Sequence, residues 1–132
     1  MPRNDNPVEK EGTLGYVIKV QQVIDFVVLS ELQEGKQLYV SELDKKIADI
    51  LGGIGVNDSY LSARLRKLAE NGHVIREWKG DDRYNRYYSI TESGREYFMQ
   101  MLRDLPERVK LAHKVYSNFE KYMGRYGKVN LK

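Results

Sequence analysis

The stretch SYLSARLRKLAENGHVIREWKGDDRYNRYYSI, residues 59–90, carries two periodicities in succession. Leu61, Leu65, Leu68 and Ala69 recur at three and four, the spacing of one buried helix face, and Gly72 ends the run. From Val74 the chain turns apolar and β-branched, Gly80-Asp81-Asp82 is turn chemistry, and RYYSI (86–90) follows, which predicts a β-hairpin. Tyr88 and Ile90 then share a face and should pack inward with Val74 or Ile75, leaving Tyr87 and Ser89 on the other face.

The face of the predicted helix opposite its leucines is small, polar and basic. Ser59, Tyr60, Ser62, Ala63, Arg66 and Lys67 stand there with Glu70, and Arg64 is expected on the flank with Tyr60 and Lys67. Small residues allow close approach to a DNA groove, and cationic donors reach bases and phosphates. Arg64 is the expected bidentate partner of a guanine, and Tyr60 lies at the helix start that usually meets base edges. At the hairpin turn Lys79, Arg83, Asn85 and Arg86 are candidates for phosphate or minor-groove contact, against the repulsion of Asp81 and Asp82.

Upstream, Val17, Val20, Ile24, Val27 and Val28 predict a helix from Leu14 to Leu32. EGKQLYV (34–40) breaks that pattern. Ser41 and Asp44 have capping-box spacing, and Leu43, Ile47, Ile50 and Leu51 continue a second helix until Gly52-Gly53 stops it. The glycines of GGIGVNDS (52–59) precede a helix, but no Gly-Lys-Ser/Thr follows and no strand precedes, so a turn capped by Asn57, Asp58 or Ser59 is expected rather than a phosphate cradle. Helix, short helix, turn, basic-faced helix and hairpin, in that order, make a winged helix-turn-helix, mainly α with a small β-hairpin wing.

The 132 residues suit one folding domain, and with no cysteine and two distant histidines neither a disulfide frame nor a metal site is expected, nor any cofactor. No apolar run approaches the roughly 18 residues of a membrane span, and MPRNDNPVEKEG lacks the apolar core of a signal peptide, so a cytoplasmic location on nucleoid or plasmid DNA is expected. The net charge of +3 is unevenly spread: residues 1–56 hold six Lys/Arg against nine Asp/Glu, and residues 57–132 hold sixteen against ten. The basic excess coincides with the predicted helix and hairpin.

LSARLRKLAENGHV (61–74) and YYSITESGRE (87–96) resemble the signature of PadR-type winged-helix regulators, over about residues 16–100. The ending Ile90-Thr91-x-x-Gly94 is shared more broadly with MarR-type regulators, and the Tyr87-Tyr88 pair makes the PadR comparison the better one. Two departures mark a distant member: Ser62 stands where the family often has Tyr, and QLYVSEL replaces a His-Gly-Tyr segment. The resemblance implies a homodimer formed through the C-terminal helix, and in many members a small-molecule effector between the dimer helices.

The residues support the dimer independently. Phe98, Leu102, Leu105, Val109, Ala112, Tyr116, Phe119, Met123 and Tyr126 alternate at four and three, a heptad seam sustained for four repeats. Pro106 should start a new helix or bend a long one. Before residue 109 the stripe can dock on its own domain; beyond it a partner helix is expected, through Leu105, Val109, Ala112, Tyr116, Phe119 and Met123. An effector has no such support, since the sole tryptophan, Trp78, lies on the wing strand. The expected organisation is a flexible arm (1–12), a DNA-binding domain (13–91), a dimerisation region (92–126) and a tail (127–132). The expected function is a homodimeric, sequence-specific double-stranded DNA-binding protein acting as a transcriptional repressor. A plasmid or viral DNA-organising protein for segregation or replication control fits the same chemistry, and a protein-interaction module is the alternative without DNA. No paired nucleophile and base, ligand cluster or phosphate motif points to an enzyme.

Overall fold

Leu61, Leu65 and Leu68 are withdrawn almost wholly from water. The computed structural model describes residues 10–78 and 86–127. In chain order these form α1 (Val20–Glu31), β1 (Leu38–Tyr39), α2 (Val40–Ile50), α3 (Asp58–Glu70), β2 (Val74–Trp78), β3 (Arg86–Ile90) and α4 (Glu92–Gly127). Two compact units result: Lys19–Arg103, and the described residues up to Ile18 together with those from Asp104 onward. The division falls inside α4, whose first three turns or so belong with the winged unit.

In the winged unit the three leucines of α3 share burial with Ile24, Val28 and Leu29 of α1 and Leu43 and Ile47 of α2. The side chain of Asn57 accepts the backbone N–H of Ser59 at 2.9 Å and so starts α3. The expected Ser41–Asp44 box does not start α2. The cap lies two residues earlier, at Tyr39, where Glu42 accepts the backbone N–H of Tyr39 at 2.9 Å and leaves Ser41 inside the first turn. Gly52 (φ 71°) and Gly53 (φ 92°) end it in the left-handed region, where a side chain is strained. Ile50 and Leu51, expected on the buried face, are exposed beside this turn.

The sheet order is β1-β3-β2, antiparallel throughout. Val74 opposes Ile90 and Arg76 opposes Tyr88. Val74, Tyr88 and Ile90 are buried while Ile75 faces water, so Val74 supplies the inward contact. No strand is expected from the sequence at Leu38–Tyr39. The two residues of β1 pair Leu38 with Tyr88 and Tyr39 with Tyr87, too short a run to show an alternation.

The close of the wing explains the Thr-x-x-Gly ending. Thr91 Oγ1 accepts the N–H of Gly94 at 3.0 Å, the bond of a helix N-cap, and donates to the Gly72 carbonyl at 2.6 Å. A Cβ at residue 94 would lie 2.1 Å from the His73 carbonyl oxygen, so only glycine lets α4 pass this close to the end of the α3 turn.

The expected first helix is shorter than its apolar pattern. Leu14–Tyr16 is a single 3-10 turn, and the α-helix starts only at Val20, itself exposed. Residues 16–18 are drawn to the second unit instead. Tyr16 Oη donates to Asp104 at 2.8 Å, Arg108 Nε donates to the same carboxylate at 2.7 Å, and the Arg108 guanidinium lies 4.0 Å above the Tyr16 ring. The Ile18 N–H donates to the Arg108 carbonyl at 3.3 Å. α4 runs through Pro106 as one helix, so no new helix starts there.

Candidate nucleic-acid interface

α3 presents the expected outward face. Ser59, Tyr60, Ser62, Ala63, Arg66 and Lys67 are all exposed, with Asp58 and Glu70 at the two ends of the helix. Three buried leucines fix the rotation of α3, and the capped start fixes where its first turn begins.

Arg64 departs from the expectation. Its Nε donates to Asp25 Oδ1 at 3.0 Å and its Nη2 to Asp25 Oδ2 at 2.7 Å, a bidentate fork between α3 and α1. Tyr97 Oη of α4 donates to the same carboxylate at 3.1 Å. Asp25 is only 1% exposed, and the Arg64 side chain 18%. A carboxylate buried in this way needs a positive partner, and Arg64 supplies it. The hydrogen bond to Asp25 holds the Arg64 pKa above its usual value. Burial, and then the Asp25 charge, pushes the Tyr97 phenol up to about 12. The guanidinium edge expected to face guanine therefore faces a carboxylate, and Arg64 joins α3 to α1.

Around this triad the first turns of α4 pack closely. The His73 ring stacks on Tyr97 with centroids 4.6 Å apart, and its Nδ1 lies 2.9 Å from Ser93 Oγ. Phe98 lies against Phe26, centroids 4.9 Å apart. Asp25 is one charge on an apolar helix face: it lies three, four and seven residues before Val28, Leu29 and Leu32, all fully buried, and that spacing is the sequence signal of a buried ion pair.

On the wing, Trp78 and Arg86 are opposed across β2 and β3. The Arg86 guanidinium lies 5.3 Å from the centroid of the Trp78 ring. Lys79, Arg83 and Asn85 lie outside the described residues. Tyr87 meets Tyr39 edge to face, centroids 6.3 Å apart, and so belongs to the sheet.

Along α4, Leu105 and Ala112 are buried within the single chain, whereas Val109, Tyr116, Phe119 and Met123 are exposed. A groove of about 370 Å³ lies among Val109, Ala112, His113, Tyr116, Ser117 and Glu120. Among the described residues no group of three His, Cys, Asp or Glu side chains could hold a metal ion, and no helix is long and apolar enough to cross a membrane.

Residues 28–100, more than half of the chain, match the sequence model described as the transcriptional regulator PadR-like family. The chain belongs to the PadR-like family. Its class is therefore that of a transcriptional regulator and not an enzyme. No curated protein sequence matches it. Among solved structures, a transcriptional regulator from Clostridium thermocellum is similar with 26% identity and a TM-score of 0.60, over 76% of this chain and 95% of that one. PadR of Bacillus subtilis in complex with operator DNA is similar with 22% identity and a TM-score of 0.51, over 61% of this chain and 46% of that one. The circadian clock associated protein Pex from Anabaena shares the fold with 20% identity and a TM-score of 0.54, over 70% of this chain and 83% of that one.

Proposed function

We propose that this PadR-like protein binds double-stranded DNA sequence-specifically as a homodimer and acts as a transcriptional repressor. The observation that carries the reading is the exposed face of α3, on which Ser59, Tyr60, Ser62, Ala63, Arg66 and Lys67 stand together opposite a buried leucine stripe. Small residues there allow the helix to approach a major groove, and Arg66 and Lys67 bring donors for bases and phosphates. Arg64 leaves the set of reading residues and becomes the strut that holds α3 on α1. Arg86 of the wing contributes backbone contact, joined by Lys79, Arg83 and Asn85.

The homodimer rests on α4. Tyr116, Phe119 and Met123 form an exposed apolar stripe on a helix, and a second copy of that helix would cover it, with Val109 and Ala112 beside the groove. Two α3 helices about 34 Å apart would then read two halves of a palindrome one helical turn apart. The Bacillus subtilis relative bound to operator DNA supports a regulator over a segregation protein or an interaction module. Footprinting on the DNA upstream of the protein's own gene tests the reading. A protected, two-fold symmetric site is expected; no protection at concentrations that saturate random duplex would rule out sequence-specific recognition.

A further inference from the structure

Trp78 closes β2 directly opposite Arg86, which opens β3, so the two side chains leave the sheet on the same face. The indole is 46% exposed, and the guanidinium carbon of Arg86 stands 5.3 Å from its centroid. That distance is inside the roughly 6 Å over which a ring face attracts a cation. A guanidinium laid on an aromatic face keeps the N–H donors at its edge directed outward, while its long side chain loses much of its freedom to sample other rotamers. Trp78 and Arg86 sit at the base of the hairpin turn, and the inward side chains of the same two strands, Val74 and Ile90, are buried further back.

We propose that Trp78 is a positioning residue for DNA contact: its indole face holds the Arg86 guanidinium at the mouth of the wing so that the free edge meets a duplex phosphate. The proposal rests on the DNA-binding reading above. It assigns Trp78 a role without charge, which separates it from the basic residues around it. Preordering the cation before it meets DNA lowers the ordering cost of the contact and so strengthens binding.

Because Trp78 is the sole tryptophan, the intrinsic fluorescence of the full chain reports on this one site. The full-length protein is titrated with a labelled random-sequence duplex over a range of salt, with tryptophan emission and DNA anisotropy read together. The same anisotropy titration is run on Trp78→Ala, Trp78→Phe, Arg86→Ala and the Trp78→Ala/Arg86→Ala pair, each checked by circular dichroism. Emission of the unaltered protein should change on saturation with DNA. Arg86→Ala should weaken binding and lower the salt slope by about one unit. Trp78→Ala should weaken binding about fivefold although it removes no charge, Trp78→Phe should recover most of that loss, and the pair should bind no more weakly than Arg86→Ala alone. Unchanged affinity in Trp78→Ala, or losses that multiply in the pair, would overturn the positioning role while leaving DNA binding intact. An unaltered protein that binds no duplex would overturn both.

Discussion

The winged unit and the far end of α4 treat apolar side chains in opposite ways. Between Lys19 and Arg103, the leucines of α3 find Ile24, Val28, Leu43 and Ile47 within the same chain, and even a carboxylate is buried with a matched partner. Beyond Ala112, Tyr116, Phe119, Tyr122, Met123 and Tyr126 are each half exposed or more. Tyr122 and Tyr126 meet edge to face, with ring centroids 5.5 Å apart. One region has closed its core within a single chain, and the other displays a stripe of core-like residues to water. The same heptad seam runs through both, packed at Phe98, exposed at Leu102, buried at Leu105 and exposed again from Tyr116, so periodicity alone does not distinguish a docked position from an exposed one.

The largest effects are expected inside the closed region. Leu65→Ala should cost about 2 to 5 kcal/mol, because a fully buried leucine leaves a cavity. Arg64→Ala should be comparably damaging, about 3 to 5 kcal/mol, because it strands the Asp25 carboxylate with Tyr97 as its remaining hydrogen-bond donor of the triad. Urea denaturation of both variants measures this. An Arg64→Ala protein as stable as the unaltered one would show the ion pair to be dispensable and return Arg64 to the DNA-reading set.

In the open region the expected change is of association and not of fold. Phe119→Asp with Met123→Asp should give monomers by light scattering at concentrations where the unaltered chain is dimeric, with helical content retained. A monomeric unaltered chain would erase the contrast between the two regions.

A smaller effect tests the triad by pH. The folded pKa of Tyr97, about 12, lies above the ordinary 10.0, so its contribution to stability is complete below about pH 10 and is lost as the pH rises toward 12. Tyr97→Phe cannot ionise, and its stability should therefore fall less steeply over that interval. Parallel denaturation curves for the two proteins between pH 10 and 12 would show the phenol to be uncoupled from folding.

Much of this was legible in the sequence, for identifiable reasons. The leucine spacing of α3 and the inward pair Tyr88 and Ile90 follow from periods of 3.6 and 2, which backbone geometry imposes. Arg64 stands on the flank of α3, a position from which a side chain can turn toward the domain as readily as toward DNA. At 3.6 residues per turn, position 64 stands only about 70° from the middle of the Leu61, Leu65 and Leu68 stripe, whereas Arg66 stands about 130° away. That angle puts a long cation within reach of a neighbouring helix, and the partner, Asp25, lies 39 residues back in the chain. No local pattern pairs residues so far apart. The two-residue β1 and the departure of residues 16–18 toward Asp104 and Arg108 were illegible for the same reason, being set by contacts distant in sequence.

The central claim is that the outward face of α3 reads base sequence while Arg64 holds the helix in place. It is tested most directly by competition between the footprinted site and random duplex, comparing the unaltered protein with Arg66→Ala. The account predicts a loss of about 1 to 3 kcal/mol on the specific site, a smaller loss on random DNA, and unchanged stability, so that discrimination falls. A stable Arg66→Ala protein that keeps the full ratio of specific to random binding would contradict it.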